Sequence, residues 1–298
     1  MLNVNICGVD FKNPVLAASG TFGFGREFSN FYDVSMLGGI CSKGLTLNKK
    51  DGNAGMRIWE TRSGILNSVG LQNPGVRNFI EDELPFMETL NTVLIANLGG
   101  ADTEEYIEGI KLLSETSVDF IELNISCPNV KHGCLAYGTK SKDAYELVKM
   151  VKDVCKKPLI VKLSPNAENI TDMAVSVEKA GADAVSLINT LKGMAIDIGK
   201  RKPVFENITA GFSGPAIKPV ALRMVYEVSK SVQIPVIGVG GIMNSSDALE
   251  FIMAGASAIE VGTANMVDPY ACLNIIKGME SFMMHENIKN LDEIRGII

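Results

Sequence analysis

Residues 122–129 read ELNISCPN and bring an asparagine, a serine, a cysteine and a second asparagine together within six positions, with Pro128 stiffening the turn. The stretch over 120–125 is a short apolar run that ends in polar groups, the pattern of a buried strand delivering side chains at its C-terminal end. A thiol there, Cys127, held between Asn124 and Asn129, is a candidate acid/base or nucleophile. Free cysteines also serve as plain core packing, so spacing alone leaves both readings of Cys127 open.

Other apolar runs end in the same way. Their ends supply Ser19, Lys43, Asn97, Asn124, Lys162 and the pair Asn189-Thr190. Two cations, three amides and two hydroxyls suit a planar, polar heterocycle with many hydrogen-bonding edges, such as a flavin beside a substrate ring. Aspartate and glutamate are sparse at these ends, so no carboxylate cage for a metal is expected. His132 and His285, the two histidines, follow no strand directly.

Two further runs end in bare glycines. One ends in Gly240-Gly241 before Ser245-Ser246-Asp247 opens a helix, and the other ends in Gly262-Thr263. Exposed backbone N–H groups and a helix N-terminus favour an anion, and the loops after strands seven and eight are the recurrent phosphate site of barrels. Tight turns alone would also use glycine. The feature occurs in both loops, which favours a phosphorylated ligand.

The elements that must position these groups are read from periodicity. Apolar, β-rich runs recur at 14–19, 39–44, 93–99, 120–126, 158–164, 184–190, 235–241 and 258–263. Amphipathic stretches at 103–116, 142–155, 169–180, 218–231 and 245–254 separate most of them. Continuous rather than alternating apolar strands imply a parallel sheet buried on both faces. Eight strand–helix units predict an α/β fold, a (β/α)8 TIM barrel, in one domain over 1–298. A doubly wound open sheet is the alternative, but the first βα turn has no GxGxxG fingerprint. The connections 45–92 and 191–217 are too long for a plain barrel and predict inserted loops or short strands at its C-terminal face.

Composition excludes several classes. A net charge of -6, with no basic run interleaved with aromatics, argues against a nucleic-acid surface. No apolar run reaches the roughly 20 residues of a membrane span. The start, MLNVNICGVDFKNPV, lacks the basic and apolar regions of a secretion signal. The six cysteines are dispersed without a CxxC pair, so neither a zinc site nor an iron–sulfur cluster is expected, and a reduced cytoplasmic protein is.

A set of segments resembles the class 1 dihydroorotate dehydrogenases, FMN-containing (β/α)8 barrels of pyrimidine biosynthesis. They include ASGTFGFG (18–25), SKGLT (42–46), NSVGLQNPG (67–75), ANLGG (96–100), NISCPN (124–129) and VKLSPN (161–166). INTLKGMAID (188–197), GFSGPAIKP (211–219), GVGGI (238–242) and VGTAN (261–265) extend the resemblance over essentially the whole chain. It implies that Cys127 is the base that removes the C5 proton of dihydroorotate, while the C6 hydride leaves for FMN. It implies one FMN per chain, contacted by Ser19, Lys43, Gly44, Asn97, Asn124, Lys162, Ile188, Gly214, Gly240, Gly241, Gly262 and Thr263. Lys162 is expected beside the flavin edge that becomes negative on reduction. The implied substrate contacts are Lys43, Asn67, Ser68, Val69, Gly70, Leu71, Asn124, Asn189 and Thr190.

Within the family, Gln72 in NSVGLQNPG and the INTLKGMAID and GFSGPAIKP segments are similar to the type B branch. That branch passes electrons to NAD+ through a partner subunit carrying FAD and a 2Fe–2S cluster, around a homodimeric core in a heterotetramer. The fumarate-using type A branch is the alternative, followed by a barrel like that of dihydropyrimidine dehydrogenase. Cys134, Lys140, Arg62, Glu206 and Ala210 depart from the usual family pattern, all in loops.

Overall fold

In the computed structural model, which describes residues 1–126 and 137–298, eight parallel strands close into a barrel. They are β1 (Val15–Ala17), β2 (Gly39–Cys41), β3 (Val93–Leu98), β4 (Phe120–Asn124), β5 (Leu159–Lys162), β6 (Ala184–Leu187), β7 (Val236–Val239) and β8 (Ala258–Val261). Each pairs with its neighbours in sequence, and β8 closes on β1 through Glu260↔Leu16. Nearly every strand residue is buried because helices cover the outside and side chains fill the inside.

The first five of the six long helices follow the predicted amphipathic stretches, and the sixth lies beyond them. They are α1 (Thr103–Ser114), α2 (Ser141–Lys152), α3 (Ile170–Lys179), α4 (Lys218–Ser229), α5 (Ser245–Met253) and α6 (Ala271–His285). Side-chain caps start three of them: Asp102 accepts from the Glu105 N–H, Asn169 from Thr171 and Asp172, and Asn244 from Asp247. In α2, Ala144, Leu147, Val148 and Val151 recur at helical spacing and are buried against the barrel. No helix among the described residues is long and apolar enough to cross a membrane.

An N-terminal hairpin, Val4–Ile6 with Val9–Phe11, turns at Cys7 and Gly8, both at positive φ as its tight turn demands. It sets the Phe11 ring 5.7 Å from Phe120 at the start of β4.

The two long connections are not independent. Ile58–Thr61 and Gly64–Asn67 from the first, with Leu191–Met194 and Thr209–Ser213 from the second, form one four-stranded antiparallel sheet. The join pairs Gly211 with Asn67, Phe212 with Leu66 and Ser213 with Ile65. A small apolar cluster of Leu66, Phe205 and Ala210 anchors it, with Ala195, Val204 and Phe212 packed around.

Candidate active site

Polar side chains meet near the C-terminal ends of several strands. Asn124 and Lys162 are register partners on β4 and β5, and Lys162 is in turn paired with Ser186 on β6. Lys162 is almost fully buried, which a lysine tolerates only with carboxylate partners. Two supply that need. Its Nζ lies 2.7 Å from Glu260 Oε2 on β8 and 3.3 Å from Glu122 Oε2 on β4. Both glutamates are fully buried.

Sequence reading missed these two glutamates. The available signal was a single charged residue inside an otherwise apolar strand, in FIELN and AIEV. Alternation along the strands turns both inward, onto the face that carries Asn97, Lys162 and Ser186. Glu122 is well satisfied. It accepts from Ser186 Oγ at 2.6 Å, Asn97 Nδ2 at 2.5 Å and Cys41 Sγ at 3.2 Å, besides Lys162. Glu260 is not, since its Oε1 is buried without a hydrogen-bond partner among the described residues.

The ionisation of the cluster follows from these contacts. Burial disfavours the Glu122 carboxylate, but Lys162 and the hydrogen bonds outweigh it and hold its pKa below the ordinary value. Burial and the neighbouring Glu122 charge push Glu260 up to about 8. Lys162 is desolvated too, yet the two carboxylates raise its pKa and keep it charged. Cys41 Sγ and one oxygen from each glutamate lie within 4.8 Å of one another, and the cation serving this group is Lys162. Burial drives the Cys41 thiol well above its usual range, so it is a neutral donor.

Above this layer lies a cleft rim. A Cβ on Gly44 would stand 3.0 Å from Asn97 Oδ1, 3.1 Å from Leu71 Cδ2 and 3.9 Å from Ser19 Oγ, so these four residues meet at one place. Asn97 Oδ1 is itself buried without a partner among the described residues. Lys43 is half-buried, and burial followed by the Arg57 charge lowers its pKa. Asn189 Nδ2 donates to Ser126 Oγ at 2.5 Å and reaches Asn124 Oδ1 at 3.5 Å. The inserted sheet brings in Asn67, whose Nδ2 donates to the Gly211 carbonyl at 3.3 Å, while Thr190 Oγ1 lies against Gly211 Cα.

Ser68, Val69 and Gly70 are tied down behind Asn67. Asn53 donates through its side chain to Ser68 Oγ and through its backbone to the Val69 carbonyl. Asn207, from the second insertion, also donates to Ser68 Oγ at 3.3 Å. Arg57 donates to Gln72 Oε1 at 2.8 Å and to the Asn53 carbonyl. Asn53, Arg57 and Asn207 carried no distinctive sequence signal, being polar residues in loops.

At the glycine end, Ile188 donates its N–H to the Val239 carbonyl and lies against Gly240. Gly240 and Gly241 both take positive φ, and a Cβ on Gly241 would fall 2.6 Å from the Lys218 nitrogen. Gly214, also at positive φ, abuts Gly64, and next to it Thr263 Oγ1 donates to Ser213 Oγ at 2.9 Å. Gly262 has room, with Ala18 as its neighbour at 3.6 Å. The α5 N-terminus is capped by its own Asn244, and Asp247 Oδ2 takes the Met243 N–H at 2.9 Å.

Cys127, His132 and Cys134 lie outside the described residues. Of the other departures, Lys140 precedes α2 without capping it, Arg62 is exposed and Glu206 covers Gly55, whereas Ala210 is not in a loop but on the strand Thr209–Ser213, in the apolar cluster of the inserted sheet.

Fold and site together define a (β/α)8 barrel whose chemistry gathers at the C-terminal mouth, over a buried cation and under an inserted sheet. The family model for dihydroorotate dehydrogenase matches residues 1–283, and the chain belongs to that family. It is 60% identical to a protein of Petrotoga mobilis, over 99% of this chain and 98% of the relative. It is 54% identical to proteins of Caldicellulosiruptor bescii and Alkaliphilus metalliredigens, over 100% and 99% of this chain and 99% and 98% of the relatives. All three relatives are named dihydroorotate dehydrogenase B (NAD(+)), catalytic subunit.

Proposed function

We propose that this chain oxidises (S)-dihydroorotate to orotate in pyrimidine synthesis, as the catalytic subunit of an enzyme that delivers its electrons to NAD+. The observation that carries this reading is Lys162, a buried cation at the centre of a mouth ringed by amides and hydroxyls, in a chain that aligns end to end with relatives of that name. Residues 1–298 act as one barrel domain.

The residues present fit FMN. Asn97 Oδ1 is buried and lacks a donor among the described residues, which the N–H edge of a heterocycle would provide. Gly44 leaves a cradle beside it that a side chain would fill. Ser19, Lys43, Gly44, Asn97, Asn124, Lys162 and Ile188 line the ring site, and Gly214, Gly240, Gly241, Gly262 and Thr263 offer backbone N–H groups and a hydroxyl to the phosphate. When bound, FMN supplies a two-electron acceptor for the C6 hydride. Lys162 stabilises the negative charge that appears there only on reduction.

The substrate lies among Lys43, Asn67, Ser68, Val69, Gly70, Leu71, Asn124, Asn189 and Thr190, whose amides, N–H groups and cation match a carboxylate and two ring carbonyls. Cys127 takes the C5 proton, and the electron pair it leaves behind forms the C5–C6 double bond as the C6 hydrogen departs as hydride. A partner subunit with FAD and a 2Fe–2S cluster carries the electrons onward, in a heterotetramer around a homodimer, in the cytoplasm.

The test is anaerobic reduction of the purified flavoprotein by dihydroorotate, then reoxidation by NAD+ with and without the partner, or by fumarate. NAD+ should work only with the partner present. Fast reoxidation by fumarate alone would overturn the NAD+ assignment. Cys127→Ser should abolish most turnover and leave the bound flavin in place.

A further inference from the structure

The cluster under the barrel mouth holds one cation and two carboxyl groups, all buried. With both glutamates ionised its charge is -1. A net charge in a dry interior is costly, and a proton removes that cost. Hydrogen bonding identifies the site of the proton. Glu122 faces donors from β2, β3, β5 and β6, namely Cys41, Asn97, Lys162 and Ser186. Among the described residues Glu260 has Lys162 as its one donor and lies against the Glu122 carboxyl, and its second oxygen has no donor. The strands beside it present Val239 and Leu16 at its register, neither of which is charged.

We propose that Glu260 is a redox-linked proton site beneath the flavin: it is protonated at neutral pH, and when ionised at higher pH it takes up one proton as the flavin is reduced. It acts through Lys162 and touches neither substrate nor ring, so it is a positioning residue. The inference rests on the FMN reading above. Reduction of flavin by two electrons and one proton leaves an anion near Lys162. That new charge draws on the same cation as Glu260, so it raises the proton affinity of the carboxyl. The proton comes from solvent. Lys162 remains charged and Cys41 remains neutral across the range, which leaves Glu260 as the titrating member of the cluster.

The experiment is anaerobic spectroelectrochemistry of the FMN-loaded wild type and of Glu260→Gln, from about pH 6 to about pH 10. In the wild type the midpoint potential should follow one proton per two electrons at low pH. It should then follow two protons per two electrons over an alkaline segment. Glu260→Gln should follow one proton throughout. A wild-type profile without the steeper segment, or a variant that keeps it, overturns the inference. If the variant fails to fold, reduction-induced infrared difference spectra of the wild type decide instead. A carboxylic-acid C=O band must be gained on reduction at alkaline pH but not at neutral pH, and its absence is fatal. A chain that binds no flavin refutes the functional reading itself, whereas a flavoprotein with one proton throughout refutes only the role of Glu260.

Discussion

Asn67 and Gly211 face each other across the join between the two insertions, and the Asn67 amide donates to the Gly211 carbonyl at 3.3 Å. Residues 144 apart in sequence thus meet at one edge of the mouth. Gly211 has no spare room there. A methyl group would stand 2.2 Å from Thr190 Oγ1 and 3.3 Å from Asn67 Nδ2.

Gly211→Ala is therefore expected to displace Thr190 and Asn67 together. The KM for dihydroorotate should rise about tenfold or more, a cost of at least about 1.4 kcal/mol in substrate binding. FMN affinity should change little, because neither residue lies at the glycine end. Steady-state kinetics beside a flavin titration separates the two effects.

Gly241→Ala tests the other end. Its φ of +76° is left-handed, and the added Cβ would meet the Lys218 nitrogen at 2.6 Å. The strain is about 1–2 kcal/mol from φ alone. The turn must then move, and FMN should bind on the order of tenfold more weakly or worse. Fluorescence titration of the cofactor measures this, and unchanged affinity would remove Gly241 from the phosphate site.

Much of this architecture is written locally. Runs such as LIVK and AVSL carry apolar residues at consecutive positions rather than in alternation, because helices cover one face and the barrel interior the other, so the eight strands and most helices stand out from periodicity alone. The pairing of GILN with TAGFS was not legible. Both segments are short, one is rich in small residues, and neither shows the alternation that sets a register. Glu122 and Glu260 were visible as residues but not as a pair. Only closure of β8 onto β1 brings them to one lysine.

Lys162→Met isolates that lysine. It leaves two buried carboxyl groups without their cation, a change that typically costs about 3–5 kcal/mol. One or both glutamates should then stay protonated to higher pH. Urea unfolding at neutral pH should report the loss, and the retained flavin should be harder to reduce. Wild-type stability in this variant would mean that the cluster is solvated.

Glu260 gives stability a particular pH dependence. Its pKa rises from an ordinary 4.5 in the unfolded chain to about 8 in the folded one. Between those values the folded state binds more protons than the unfolded state, so stability falls as pH rises. The contribution is complete below the unfolded value and is lost through about pH 8. Glu122, whose folded pKa is lowered, works in the opposite sense and loses its contribution only in acid. Across the neutral range Glu260 therefore sets the slope of the cluster, on the order of a few kcal/mol in total. Glu260→Gln is neutral at every pH and keeps a polar side chain of similar shape. It should flatten the slope between about pH 5 and about pH 8 and make the protein more stable than wild type at the alkaline end. Urea midpoints measured across that range for both proteins give the answer. Parallel curves would mean that Glu260 is ionised in the folded state, with Lys162 sufficient for both carboxylates.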